Sequence, residues 1–248
     1  MKSSKARSWL NYRESHLGSC KAKEYDDEWQ PGSTCEYLWQ IEKKILEEEI
    51  GKFCNKPESL LDFACGTGRV LSFLENSVKS SVGVDVSKDM LSVAQKRCTK
   101  SQLIQGDITM QNGLIKGQFE LITAFRFFLN AEESLRISSL KALYGLLKSN
   151  GILIANFHFN PNSVTGVVQR TLDLFRKRDR PMISVNKAMS LFVDNGYQIL
   201  SVRGYGYLLQ RRIKPPLGFM QIKVESFLAK KKLPPQLGFY FLIVAKKN

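Results

Sequence analysis

Histidine is nearly missing from this 248-residue chain, which has two of them against 37 lysines and arginines and 23 carboxylates. The five cysteines, Cys20, Cys35, Cys54, Cys65 and Cys98, are scattered and odd in number. None stands in a C-x-x-C or other zinc-type spacing, so no metal site is expected and reduced thiols of a cytoplasmic protein are. The basic start Met1–Arg7 has no apolar stretch behind it, so no secretory leader is expected. No apolar run reaches the ~18 residues that a membrane-spanning helix needs, so no membrane span is expected. Zinc-finger, RRM and KH signatures are missing too, which leaves nucleic acid as a partner supported by charge alone.

That charge is unevenly placed. Residues 161–248 hold 16 basic side chains against 4 acidic ones, whereas residues 1–160 hold 21 against 19. A nearly neutral first part followed by a basic last third predicts an acidic partner for that third. Phosphate or carboxylate on a substrate, nucleic acid and an anionic membrane surface all qualify. At this length the chain suits one domain with a proper core.

Short apolar runs alternate with helical patterns from residue 60 onward. Strands are expected over 60–65, 81–85, 102–105, 119–125, 152–159 and 197–208, with helices over 69–76, 88–97 and 132–147, the last ended by Asn150-Gly151. Such alternation means a parallel sheet covered on both faces. Ahead of it, an apolar stripe over Ala22–Glu49, interrupted at Pro31-Gly32, predicts two helical pieces. Behind it, a basic amphipathic helix is expected over 164–180, with Val168, Leu172, Leu174 and Phe175 on its apolar side and Pro181 as its stop. A helix from Ser184 to Asn195, another near 218–230 and a buried final strand from Phe239 follow.

The most informative stretch is Leu60-Leu61-Asp62-Phe63-Ala64-Cys65-Gly66-Thr67-Gly68-Arg69-Val70. A strand runs into a turn with glycines at i and i+2, then into a helix, so backbone N–H groups can approach a ligand closely. Asp85 ends the next strand 17 residues after Gly68, near the ~20-residue offset at which such folds place an acid on a ribose. The pair predicts an adenosine-containing cofactor. The dinucleotide fingerprint would need glycine or alanine where Leu71 stands, and no Gly-Lys-Ser/Thr follows, so NAD and P-loop nucleotides are disfavoured.

The run Asp62-x-Ala64-x-Gly66-x-Gly68 instead resembles motif I of the class I S-adenosylmethionine-dependent methyltransferases, with Ala64 where many members carry glycine. Gly83–Leu91, Leu103–Ile108 and Phe119–Arg126 follow at family-like spacing. The resemblance covers residues 20–160 in detail and the rest by topology. It implies a doubly wound, mostly parallel seven-stranded α/β sheet, the Rossmann-like methyltransferase fold, with N-terminal helices and basic helical insertions. It also implies S-adenosylmethionine as cofactor and S-adenosylhomocysteine as product. The implied cofactor residues are Asp62, Ala64, Cys65, Gly66 and Gly68 in the turn, Asp85 and Val86 at the ribose, and Met90 on the adenine. Gly106, Asp107 and Ile108 belong to the adenine as well, Phe125 to the acceptor side of the cofactor, and Tyr25 (with Asp26) to a lid.

One domain over 1–248 is expected, with a helical lid (1–50), a cofactor core (58–160) and a basic acceptor region carrying the last two strands (161–248). His158 and Arg126 are the candidate catalytic groups, a base or substrate ligand and an anion clamp, with Asn130, Asn156 and Asn160 nearby. Phe125–Asn130 and Asn156–Asn160 resemble a bacterial branch of the family, some members of which are suspected to act on sugars or surface glycans. The expected reaction is methyl transfer to a small or glycan-linked anionic acceptor at oxygen. RNA methylation, and a binding module without turnover, are the alternatives.

Overall fold

The computed structural model describes residue 12 and residues 19–30, 32–208, 217–231 and 233–248. The basic start Met1–Arg7 and the Pro215-Pro216 loop lie outside the described residues. Two helices lead in, α1 (Ser19–Asp27) and α2 (Thr34–Phe53). Ser33 starts α2 by accepting a hydrogen bond from the Glu36 N–H, which satisfies one of the free donors of a first turn. Then come β1 (Ser59–Phe63), α3 (Arg69–Leu74), β2 (Ser80–Asp85), α4 (Lys88–Arg97), β3 (Gln102–Gln105) and β4 (Phe119–Ala124). The chain continues through α5 (Glu133–Leu146), β5 (Leu147–His158), α6 (Val164–Phe175), α7 (Val185–Val193), β6 (Tyr197–Tyr205), α8 (Leu217–Lys230) and β7 (Tyr240–Lys247).

The seven strands form one sheet in the order β3-β2-β1-β4-β5-β7-β6. Strands β1 to β5 are parallel, and β7 is inserted antiparallel between β5 and β6. The doubly wound, mostly parallel sheet is therefore the one expected. Its two faces carry separate cores because side chains alternate along a strand. Leu61 and Phe63 pack with Phe127, Phe128, Phe157 and Phe241, while Leu60 packs with α2 and α3 through Leu46, Val70 and Leu71. The strand order reverses between β1 and β4, so ligands are expected outside the carboxyl ends of these strands.

Two expectations need correction. Asn150-Gly151 does not terminate α5, which ends at Leu146. It lies within β5, where pairing with β4 jumps from Leu147 to Ile152. A Cβ on Gly151 would stand 2.8 Å from the Phe119 carbonyl oxygen, so the irregularity requires glycine. The basic helix is also shorter, α6 ending at Phe175, and Val168, Leu174 and Phe175 face solvent rather than the protein.

Candidate active site

Three non-glycine residues in the left-handed region stand just beyond the carboxyl ends of three adjacent strands. They are Ala64 (φ 53°) after β1, Arg126 (φ 62°) after β4 and Phe159 (φ 63°) after β5. Such backbone is strained in an L-residue and gathers at functional sites. Here it marks one edge of the sheet.

At β1 the strain belongs to the glycine turn, where Gly66 (φ 54°) and Gly68 (φ 74°) are also left-handed. Asp85 holds this turn. Its carboxylate accepts from the Gly66 N–H at 2.8 Å and the Ser87 N–H at 2.9 Å, while its carbonyl accepts from the Gly106 N–H at 3.0 Å. One residue thus joins the ends of β1, β2 and β3. The two glycines serve different ends. A Cβ on Gly66 would meet nothing within 4 Å, so the turn is open there. On Gly68 it would stand 2.7 Å from Cys98 Sγ and 3.0 Å from Ala94 Cβ, so that glycine exists for the contact with α4. Gly68 thus has a packing role of its own beside the cofactor contact expected of it.

Beside the turn lies a cavity lined by Ala64, Asp85, Val86, Gly106 and Asp107 together with Phe63, Phe127 and Tyr12. Two carboxylates and three aromatic rings in one wall suit a nucleoside: acceptors for hydroxyl or amine groups, apolar faces for a base. Tyr12 gave no signal in the sequence. Its ring meets Phe127 edge-on at 5.3 Å, and burial followed by the Asp85 charge pushes its phenol pKa up.

The other expected cofactor residues do not line this cavity. Asp62 is buried in the opposite face of the sheet, where it accepts from the Thr123 hydroxyl at 2.6 Å and its second oxygen has no partner. Burial raises its pKa to about 7. Cys65, Met90, Ile108 and Phe125 are core side chains, and burial pushes the Cys65 thiol well above its ordinary range. Tyr25 packs 6.1 Å from Trp29. Its neighbour Asp26 ties α1 to α4 and the glycine turn. Arg97 donates through Nη2 to Asp26 at 2.6 Å and through Nη1 to the Thr67 carbonyl and hydroxyl, both at 3.1 Å. Arg97 was missed because a helix-end arginine has no local signature.

Past β4 and β5 the edge becomes charged. Glu42 of α2 is fully buried. Its Oε1 accepts from Arg126 Nη2 at 3.0 Å, Asn156 Nδ2 at 3.1 Å and the Tyr205 hydroxyl at 2.6 Å, and its Oε2 from Arg69 Nη1 at 3.4 Å. Burial and the Glu42 charge keep Tyr205 protonated, with its pKa well above the usual value. Two guanidinium groups share this carboxylate, which leaves one positive charge in excess, and the Nε atoms of both arginines have no partner. Arg69 lies against the rings of Trp29 and Trp39, 3.6 and 4.4 Å from their centroids. Asn156 and Asn130 hold the strained Arg126 backbone, accepting from its N–H at 2.6 Å and donating to its carbonyl at 2.7 Å. Asn160 is structural, donating to the Gln236 and Gly238 carbonyls.

His158 ends β5 opposite Tyr240 of β7 and is buried, with Nδ1 unpartnered. Burial, then the charges of Arg126 and Arg180, push its pKa well below the usual 6.5. The imidazole is therefore neutral at neutral pH. The structure brings His158 and Arg126 together, as expected, and adds Arg180, Tyr205 and Tyr240.

The methyltransferase domain family matches residues 61–155, from β1 to the end of β5. Bacillus subtilis YqeM is 33% identical over 40% of this chain and 42% of its own length. The 18S rRNA (guanine-N(7))-methyltransferase RID2 of Arabidopsis thaliana is 29% identical over 50% of this chain and 46% of its own. Among solved structures, magnesium protoporphyrin IX methyltransferase of Synechocystis PCC 6803 with bound S-adenosylhomocysteine superposes with a TM-score of 0.66. It is 13% identical, with 95% and 98% of the two chains covered. Residues 61–155 thus carry a methyltransferase domain, and the chain as a whole shares the fold of S-adenosylmethionine-dependent methyltransferases. It spans less than half the length of the two curated relatives. S-adenosylmethionine fits the cavity on the chemistry of its wall, which holds the carboxylates of Asp85 and Asp107 and three aromatic rings, beside the open backbone at Gly66. Among the described residues no group of His, Cys, Asp and Glu is arranged to hold a metal ion. None of their helices is long and apolar enough to cross a membrane.

Proposed function

We propose that the protein transfers a methyl group from S-adenosylmethionine to a hydroxyl of a small or glycan-linked acceptor that also carries an anionic group. When bound, the cofactor supplies an electrophilic methyl on a positively charged sulfur. Asp85 and Asp107 would take the donors of its nucleoside, and the open backbone at Gly66 would allow its close approach. The lid, core and basic region would act as one domain.

The observation that carries the acceptor reading is the neutral His158 imidazole in the field of two guanidinium groups. A hydroxyl becomes a better nucleophile as a base takes its proton; the unpartnered Nδ1 is placed to take it, and the negative charge of a bound acceptor beside Arg126 and Arg180 would restore the basicity that those cations withdraw. Arg126 and Arg180 would pair the acceptor's anionic group. Arg126 already shares Glu42 with Arg69, so an incoming anion would neutralise the excess charge at the mouth. The remaining work is to orient the acceptor and exclude water, which the buried walls favour.

The named acceptors of the relatives, a ribosomal guanine and a magnesium porphyrin, have no common chemistry, so the acceptor class rests on the site itself. The deciding experiment is transfer of label from methyl-labelled cofactor into fractionated cell extract. Label in an anionic small molecule or glycan, released as an alcohol methyl ether, is the expected result. A second reading, transfer to RNA, is favoured by the basic last third. Label in RNA, with affinity falling steeply as salt rises, would replace the first reading.

A further inference from the structure

Helix α6 carries its apolar stripe on the outside. Val164, Val167, Val168, Leu174 and Phe175 are exposed, the last two by 79% and 83%. Their spacing puts them on one face of a helix. The inward face is the polar one, and its contacts fix the rotation. Thr165 donates to the Leu208 carbonyl at 3.4 Å, and Asp173 accepts from Gln169 at 2.9 Å and Arg180 at 2.8 Å. At Gly166 any Cβ would collide with the Asn160 carbonyl oxygen. Helix α8 repeats the arrangement. Its buried Glu225 accepts from the Gly206, Tyr207 and Leu208 N–H groups, while Met220, Val224 and Phe227 are exposed. Both helices therefore rest on the 206–208 turn, at the sheet edge that holds His158.

Exposed cations flank these stripes: Arg170, Arg176, Lys177 and Arg178 on α6 and just after it, Lys223, Lys230 and Lys231 on α8 and just after it. The exposed carboxylate in 164–180 is Asp179, since Asp173 is buried and paired. We propose that α6 and α8 form an interfacial docking surface for an anionic lipid bilayer. Leu174 and Phe175 would insert among the acyl chains while Arg176, Lys177 and Arg178 sit on lipid phosphates. A second copy of this chain is a poorer occupant because it would press two basic clusters together. RNA is poorer because it offers nothing to a row of aliphatic side chains. The readout of this docking does not depend on methyl transfer.

The test is co-sedimentation of the full chain with vesicles of equimolar phosphatidylglycerol and phosphatidylcholine, against vesicles of phosphatidylcholine alone. The anionic vesicles should bind. Partition should fall on the order of 100-fold on reversing all three charges at Arg176, Lys177 and Arg178, and be lost in Leu174→Glu/Phe175→Glu. The altered positions are exposed, and an unchanged melting curve will show that the variants fold. Four results would each overturn the proposal: no binding to anionic vesicles, equal binding by the Leu174→Glu/Phe175→Glu variant, a dimer that this variant dissolves, or RNA binding that depends on Leu174 and Phe175.

Discussion

Asp85 does two jobs with one side chain, and removing it separates them. It holds the glycine turn through Gly66 and the start of α4 through Ser87, and it walls the cavity. Asp85→Ala should weaken S-adenosylhomocysteine binding by about 1.5–3 kcal/mol, the worth of hydrogen bonds to a charged group, as read by calorimetric titration. His158 makes a pH prediction. Its folded pKa lies well below 6.5 because of burial and then Arg126 and Arg180, so turnover should persist as pH falls below 6.5 and drop only near the depressed value. His158→Gln should lower kcat by about 10²–10⁴, remove that acidic limb and leave cofactor affinity unchanged. Asp62 works the other way. Its carboxyl is raised to about 7 by burial, so its contribution is full below the unfolded value and is lost as pH rises through 7. Asp62→Asn should therefore gain stability over the parent between about pH 4 and pH 7, by up to about 4 kcal/mol, in melts across that range.

The glycine turn and its helix show how far local pattern reaches. Two glycines after an apolar strand, with an acid ending the next strand, were legible because chain spacing alone places them together. The division of labour between the glycines was not, since it depends on α4 packing against the turn. Exchanging each for alanine tests that division. Gly68→Ala should cost about 1–3 kcal/mol in denaturant unfolding, from positive φ and the Cys98 and Ala94 contacts. Gly66→Ala should cost about 1 kcal/mol, for its φ alone, yet lose more cofactor affinity. The rotation of α6 was not legible for a similar reason. Amphipathic spacing says that a helix has two faces, and only the contacts of Thr165, Gly166 and Asp173 decide which one turns inward.

Glu42 ties together parts of the molecule that no local pattern connects. It joins α2 to α3, to the loop after β4, to β5 and to β6, with Tyr205 lying 163 positions away in the chain. Glu42→Gln would leave Arg69 and Arg126 buried without a counter-charge. It should destabilise the fold by about 3–5 kcal/mol, and denaturant unfolding measures this directly. The sequence by itself determined the β/α alternation, the nucleoside turn and the acid that closes it. These rest on spacings of two, three and about 20 residues, which backbone geometry converts directly into position. Only the tertiary structure decided the acceptor side: the Glu42 cluster, the neutral His158, Tyr12 in the cavity wall and the outward stripe of α6. Such contacts depend on strand order and helix rotation, which are settled by packing over the whole chain and leave no periodic trace along it.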